Sequence, residues 1–173
     1  MANTTFSGPV RSENGFIDVT KNTSTGAITT NFTLGSSGLL ATPVALSDAN
    51  TTLSATVHGG RTLVIPNLAA EKTYTLPTPA AGLYFKFVYG GAANDAQNAI
   101  ISTGADANFF IGGLTHLDIG DDNANVYANG SSNSKVTLGQ IGVMEINVLA
   151  KDTTNWYIWG NICSAAAPAF ANQ

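Results

Sequence analysis

The segments Glu71-Lys-Thr-Tyr-Thr-Leu76, Pro77-Thr-Pro79-Ala-Ala-Gly82 and Leu83-Tyr-Phe-Lys-Phe-Val-Tyr89 follow one another without a gap, and their reading decides the fold class. The first is a short strand and the second a rigid turn, because two prolines fix φ and a glycine closes the segment. The third is a run of aromatic and β-branched residues with period-2 alternation, the signature of a strand rather than a helix. Leu83, Phe85, Phe87 and Tyr89 share one face and are predicted to be core. Lys86 falls on the opposite face, in phase with Tyr84 and Val88.

Towards the C-terminus the same period recurs. Ala99–Thr103, Ala107–Ile111, His116–Ile119, Asn125–Tyr127 and Lys135–Gly139 read as short strands, with Gly112-Gly113 and Gly120-Asp-Asp-Asn123 as stops between them. In Val143-Met-Glu-Ile-Asn-Val-Leu149 the residues Met144, Ile146 and Val148 form an apolar face against Val143, Glu145, Asn147 and Leu149. The closing strand Trp156-Tyr-Ile-Trp-Gly160 places Trp156 and Ile158 on one face and Tyr157 and Trp159 on the other. Towards the N-terminus, Thr56-Val57 and Arg61–Pro66 read as a strand, and Pro43–Leu53 is ambiguous. Two further period-2 runs, Phe16–Thr20 and Ala27–Leu34, flank a polar turn and either pair as a hairpin or each add to a neighbouring subunit. The second packing is favoured, since an arm with few large residues cannot bury itself.

About nine strands and no convincing helix predict an all-β fold: a single antiparallel sandwich or jelly-roll-like domain with an extended N-terminal arm. The expected division is an arm over 1–40, a β-rich body over 41–162 and a C-terminal tail over 163–173, whose Phe170 would anchor in a neighbouring pocket.

Composition bounds the function. Of 173 residues, 44% are hydrophobic and only 10% charged, against about 25% charged in ordinary soluble domains. The polar character therefore comes from Thr, Ser and Asn, which suits a permanent interface better than a freely diffusing monomer. Seven Lys/Arg against eleven Asp/Glu leave a net charge of −4. The basic residues are scattered, so no nucleic-acid partner is expected. The N-terminus lacks the charge and apolar run of a signal peptide, and no stretch approaches about 18 uninterrupted apolar residues. No membrane association is expected. Cys163, the only cysteine, reads as a buried small hydrophobe without a disulfide partner in the chain.

No residue set assembles a catalytic, cofactor or metal site. His58 precedes Gly59-Gly60 and is expected at a turn, and His116 is expected as a satisfied polar residue near a strand rim. Asp118 shares a strand face with His116, but no activated nucleophile stands beside the pair. The segment Asp118-Ile-Gly-Asp-Asp-Asn-Ala-Asn125 offers hard oxygen ligands for calcium yet departs from EF-hand spacing. It reads as a loop capping its own backbone, as do the loops of Asp95, Asp106 and Asp152. Glu13, Glu71 and Glu145 form no carboxylate pair for glycoside chemistry. Tyr127, Trp156, Tyr157 and Trp159 are the aromatics that could stack on sugars, although core and subunit contacts use the same residues. No enzyme activity is expected and no cofactor is called for.

The opening Met1-Ala-Asn-Thr-Thr-Phe-Ser-Gly-Pro-Val-Arg-Ser-Glu-Asn-Gly-Phe16 resembles the starts of small virion structural proteins of marine tailed bacteriophages. Thr25-Gly-Ala-Ile-Thr29 and Gly35-Ser-Ser-Gly-Leu39 fit the same pattern, and Tyr74–Val88 is similar to a "TLP…AG" turn between two strands in phage capsid-associated and tail proteins. Within that class the chain is most like a capsid decoration (cement) protein. The resemblance implies a homo-oligomer, a trimer, on the outer capsid surface of the virion, contacting the major capsid protein and sister subunits. It carries no catalytic residues. The alternative is a tail, fibre or capsid-appendage protein with a carbohydrate-binding surface; a host-side lectin-like domain is a third reading.

Overall fold

The computed structural model describes residues 16–34, 42–91, 94–118 and 123–173. The chain divides into two units, Met1–Ala41 and Thr42–Gln173.

In the first unit, β1 (Phe16–Lys21) and β2 (Ile28–Leu34) pair antiparallel with each other, with a bulge between Asp18 and Val19. The runs therefore form the hairpin within one chain, not the favoured addition to a neighbour. Asn22 explains the choice: its side-chain oxygen accepts from the N–H groups of Ser24 (2.9 Å) and Thr25 (3.0 Å), closing a tight loop that sets Lys21 opposite Ile28. The remainder of the expected arm, 1–15 and 35–40, lies outside the described residues.

In the second unit the strands fall into two sheets. From Val44 to Ser102 the chain passes from one sheet to the other at each step: β3 (Val44–Ala45), β4 (Thr51–Thr52), β5 (Thr62–Ile65), β6 (Lys72–Thr75), β7 (Tyr84–Tyr89) and β8 (Ala99–Ser102). Strands β3, β5 and β7 lie parallel in one sheet, and β4, β6 and β8 lie parallel in the other. This stretch is thus a coil whose turns contribute one strand to each sheet. The remaining strands are β9 (Phe109–Asp118), β10 (Ala124–Asn129), β11 (Lys135–Leu138), β12 (Ile141–Ala150), β13 (Asn155–Ser164) and β14 (Ala169–Ala171). They complete a seven-stranded sheet of order β10-β9-β13-β12-β7-β5-β3 and a five-stranded sheet of order β14-β11-β8-β6-β4.

The fold is therefore all-β in its main content, but its sheets are mixed where antiparallel pairing was expected. Period-2 alternation reports which residues share a face and is silent on strand direction. The segment from Pro77 to Gly82 does join two strands, β6 and β7, yet these lie in different sheets. Parallel neighbours need a long return path, and here the strand of the opposite sheet supplies it.

Three local expectations also changed. Ala55–His58 is a single helical turn, α1, instead of part of a strand, because the Ser54 side chain caps it by accepting from Val57 N–H at 3.3 Å. Gly112-Gly113 does not end a strand; β9 runs through it for ten residues. Gly112 has φ +117, and a Cβ on it would stand 2.2 Å from the Ile158 carbonyl oxygen. The glycine is there for close strand approach, not for a turn. The tail is also internal: β14 pairs with β11, and Phe170 meets Phe110 of its own chain at 6.2 Å between ring centroids.

One buried apolar cluster draws on both sheets, with Phe85, Phe87, Phe110, Ile146 and Trp156 from the larger and Tyr74, Ile101, Val136 and Leu138 from the smaller. Leu83 and Tyr89 pack against it half-buried. Asp95 ties a loop to this body: its carboxylate accepts from Leu68 N–H (2.7 Å), Gln97 N–H (2.9 Å) and the Tyr89 hydroxyl (3.2 Å). Tyr74 donates its hydroxyl to the Ser47 carbonyl at 3.3 Å. Burial, and then the nearby Asp48 and Asp95, push its phenol up to about 12. That is above the ordinary value near ~10, so the stability it contributes is complete below pH ~10 and is lost as pH rises through the folded value. Tyr74→Phe should therefore flatten the alkaline limb of the stability curve. Circular dichroism against pH, beside tyrosinate absorbance, checks this.

Candidate functional site

The seven-stranded sheet has one face on the core and one turned away from it. On β13 the core side is Trp156, Ile158, Ile162 and Ser164, and the residues between them point outward. The same alternation holds on β12, where Met144, Ile146 and Val148 are buried, and on β7, where Phe85 and Phe87 are. Strand register then fixes the outward rows. One row reads Tyr127, Gly113, Trp159, Asn147, Lys86, Thr62 across β10, β9, β13, β12, β7 and β5. On one side of it lies Asn129, Ile111, Tyr157, Leu149, Tyr84. On the other lies Asn125, Thr115, Asn161, Glu145, Val88, Val64, and beyond that Leu117 stands opposite Cys163.

Five of the seven large hydrophobic side chains exposed among the described residues are on this face: Val143 (80%), Tyr127 (73%), Leu117 (45%), Trp159 (44%) and Tyr157 (39%). They form two groups. Tyr127, Tyr157 and Trp159 belong to the first two rows, with Tyr84 beneath; the Tyr84 and Trp159 rings are 6.5 Å apart and tilted by 33°. Leu117 stands opposite Cys163 near the other end of the strands, and Val143 lies at the same end of β12, next to Met144. The polar row of Asn125, Thr115, Asn161 and Glu145 separates the groups, and Thr115 donates to Asn125 across it at 3.1 Å.

A polar network anchors the centre. The Tyr84 hydroxyl donates to Asn147 Oδ1, and Lys86 Nζ lies 2.9 Å from Glu145 Oε2. Hydrogen bonds from Lys86 and then Asn147 lower the Glu145 carboxyl below its ordinary value, and the bond to Glu145 raises Lys86. Both partners thus favour the charged pair, which leaves the centre of the face formally neutral.

The other sequence candidates are dispersed. Trp156 is fully buried against Phe85 at 5.9 Å, away from the other three aromatics. His116 is buried, not at a rim; Nε2 sits 3.1 Å from the Ser164 carbonyl oxygen, and Nδ1 has no hydrogen-bond partner among the described residues. His58 closes α1 and accepts from Ser54 N–H at 3.0 Å. Residues 119–122 of the calcium candidate lie outside the described residues, as does Glu13; the backbone of Asp118 donates to Asn123 Oδ1 at 3.2 Å. Asp152 does cap its own turn, accepting from Thr154 N–H (2.8 Å) and Asn155 N–H (2.7 Å), and these bonds hold its carboxyl well below the usual range. Asp106 accepts from Ser134 at 3.5 Å, and Glu71 accepts from the Asn98 amide at 3.0 Å. Among the described residues no three His, Cys, Asp or Glu side chains are grouped to hold a metal ion. Cys163 is half-buried on the outward face, less enclosed than expected.

Tyr84 is the member of the outward face that the sequence reading missed. Its phase with Lys86 marked it as outward, but nothing in the sequence placed it under Trp159. In comparison with known proteins, no family model and no curated protein matches the chain.

Proposed function

We propose that the chain is a structural, non-catalytic component of a phage particle, decorating and stabilising the capsid shell. In this reading the two sheets pack as a sandwich, residues 1–40 serve as an extended arm, and the protein is a homotrimer bound to the major capsid protein. The resemblance of residues 1–16 and 74–88 supports the particle. The observation that carries the role is the exposure of Leu117 and Val143, at 45% and 80%, at one end of the outward face of the larger sheet. Exposed apolar groups of this kind mark contact surfaces, and each copy needs to bury only modest area, at roughly 25 cal/mol per Å², for many copies to reinforce a shell.

Light scattering should find the purified protein oligomeric, and Leu117→Asp with Val143→Asp should give monomers with an unchanged far-UV spectrum. Antibody labelling of the particles that carry the chain should mark heads. A wild-type chain that stays monomeric, or labelling confined to tails, would reject the reading. A tail or appendage position is the second reading, favoured by the exposed aromatic rows.

A further inference from the structure

We infer that the outward aromatic rows, Tyr127, Trp159 and Tyr157 around Gly113, form a binding site for a neutral, unbranched pyranose oligosaccharide. The inference is independent of where the chain sits on a particle, since it uses the end of the face away from Leu117 and Val143.

Four observations point to this ligand. First, the exposed side chains at this end are aromatic, with a π face that attracts the weakly positive C–H groups of a sugar ring. Second, Tyr127 and Trp159 stand on β10 and β13, with β9 between them. Neighbouring strands are about 4.8 Å apart, so the two rings are carried on strands about 10 Å apart, a span that two linked pyranose units cover. Third, the position between them has no side chain. A Cβ on Gly113 would lie 2.4 Å from the Val126 carbonyl oxygen and 3.0 Å from Tyr127 Cδ1, so the glycine lets the Tyr127 ring lie down on the sheet, and no side chain from β9 rises between it and Trp159. Fourth, the polar row of Asn125, Thr115 and Asn161 borders the aromatics on the side towards Leu117 and supplies hydrogen-bonding groups there. The only charges in the central rows, Lys86 and Glu145, neutralise each other at 2.9 Å. A polyanion therefore finds no unpaired cation here, and a neutral chain of hydroxyls does find donors and acceptors.

Trp159 is held ready for this role. Tyr84 supports its ring from β7 at 6.5 Å, and Tyr84 is itself fixed through its hydroxyl to Asn147, which is only 8% exposed. A ring positioned before binding loses little side-chain freedom on contact with ligand.

The test uses the full chain and soluble cellohexaose, mannohexaose, maltohexaose and N-acetylated chitohexaose. Tryptophan emission is followed and heats are measured by calorimetry. Trp159 is 44% exposed and Trp156 fully buried, so any change in emission reports the outward face. At least one hexasaccharide should bind, and Trp159→Ala or Tyr127→Ala should weaken it about tenfold or more with the near-UV spectrum of the core retained. Leu117→Asp with Val143→Asp should bind sugar as wild type does, even where self-association is lost, which separates this site from the assembly surface. Absence of binding to all four probes at millimolar concentration would overturn the inference. So would binding that survives Trp159→Ala, a preference for a sulfated or uronate oligosaccharide over the neutral ones, or loss of self-association in Trp159→Ala.

Discussion

Trp156→Ala is expected to destabilise the protein by about 3–5 kcal/mol, while Trp159→Ala, three residues on, should cost under about 1 kcal/mol. The two indoles lie on opposite sides of one strand. Trp156 is fully buried and packs on Phe85 at 5.9 Å, so truncation removes its whole transfer energy and leaves a cavity that the neighbouring strands cannot close. Trp159 rests on the outward face, and its removal exposes Tyr84 without opening the core. Trp156→Phe sharpens the prediction. Both substitutions of Trp156 remove the buried indole N–H, so they differ in the ring alone. Phenylalanine retains an aromatic ring to pack on Phe85 where alanine leaves a cavity, so it should recover part of the alanine loss. Urea denaturation of the four proteins, with m-values compared, measures all three effects. A Trp156→Phe variant as unstable as Trp156→Ala would show that the ring contact with Phe85 does not set the cost.

Much of the fold is legible in the sequence because burial imposes a period of two. Phe85 and Phe87, and Met144, Ile146 and Val148, are core residues in the structure as alternation predicts. Direction is not legible, because a strand buries the same residues whether its neighbour runs with it or against it. The coil from β3 to β8 is therefore invisible as a repeat. Val44 pairs with Leu63 and Leu63 with Phe87, but the turns between them differ in length and share no motif. Gly112-Gly113 was misleading for a related reason. A glycine pair that marks a turn looks the same as one that lets a neighbouring backbone approach, and the Ile158 carbonyl 2.2 Å from a Cβ on Gly112 shows which applies.

The candidate site was half legible. Alternation separated Tyr157 and Trp159 from Trp156, yet both faces of that strand are aromatic, and only the sheet's core side says which is exposed. Tyr127 and Gly113 reach the same row through cross-strand register, which a single sequence does not contain. The separation of Leu117 and Val143 from the aromatics by Asn125, Thr115, Asn161 and Glu145 has the same origin. These residues come from four strands and are contiguous only once the strands are in order.

That order depends on the pairing of β12 with β13, and Gly160→Ala is expected to disrupt it, lowering stability by about 3 kcal/mol or more. Gly160 has φ +147, outside what an L side chain readily adopts. A Cβ there would stand 2.1 Å from the Glu145 carbonyl oxygen and 2.9 Å from Ile146 Cα, on the partner strand directly opposite. Both are backbone atoms, so no side chain can rotate away and the strands must separate. Asn161→Ala, at the exposed neighbouring position, should stay within about 0.5 kcal/mol of wild type. Hydrogen exchange distinguishes local from global loss. In Gly160→Ala the amides of Glu145 to Val148 and of Trp159 to Ile162 should lose protection first, while those of β6 and β8 in the other sheet keep theirs until global unfolding. Because Trp159 and Asn161 flank Gly160, the same substitution should displace both from their rows and weaken oligosaccharide binding without touching either side chain. Retained protection and wild-type stability would show that the strands accommodate a methyl group, and that the glycine is not what holds the outward rows in register.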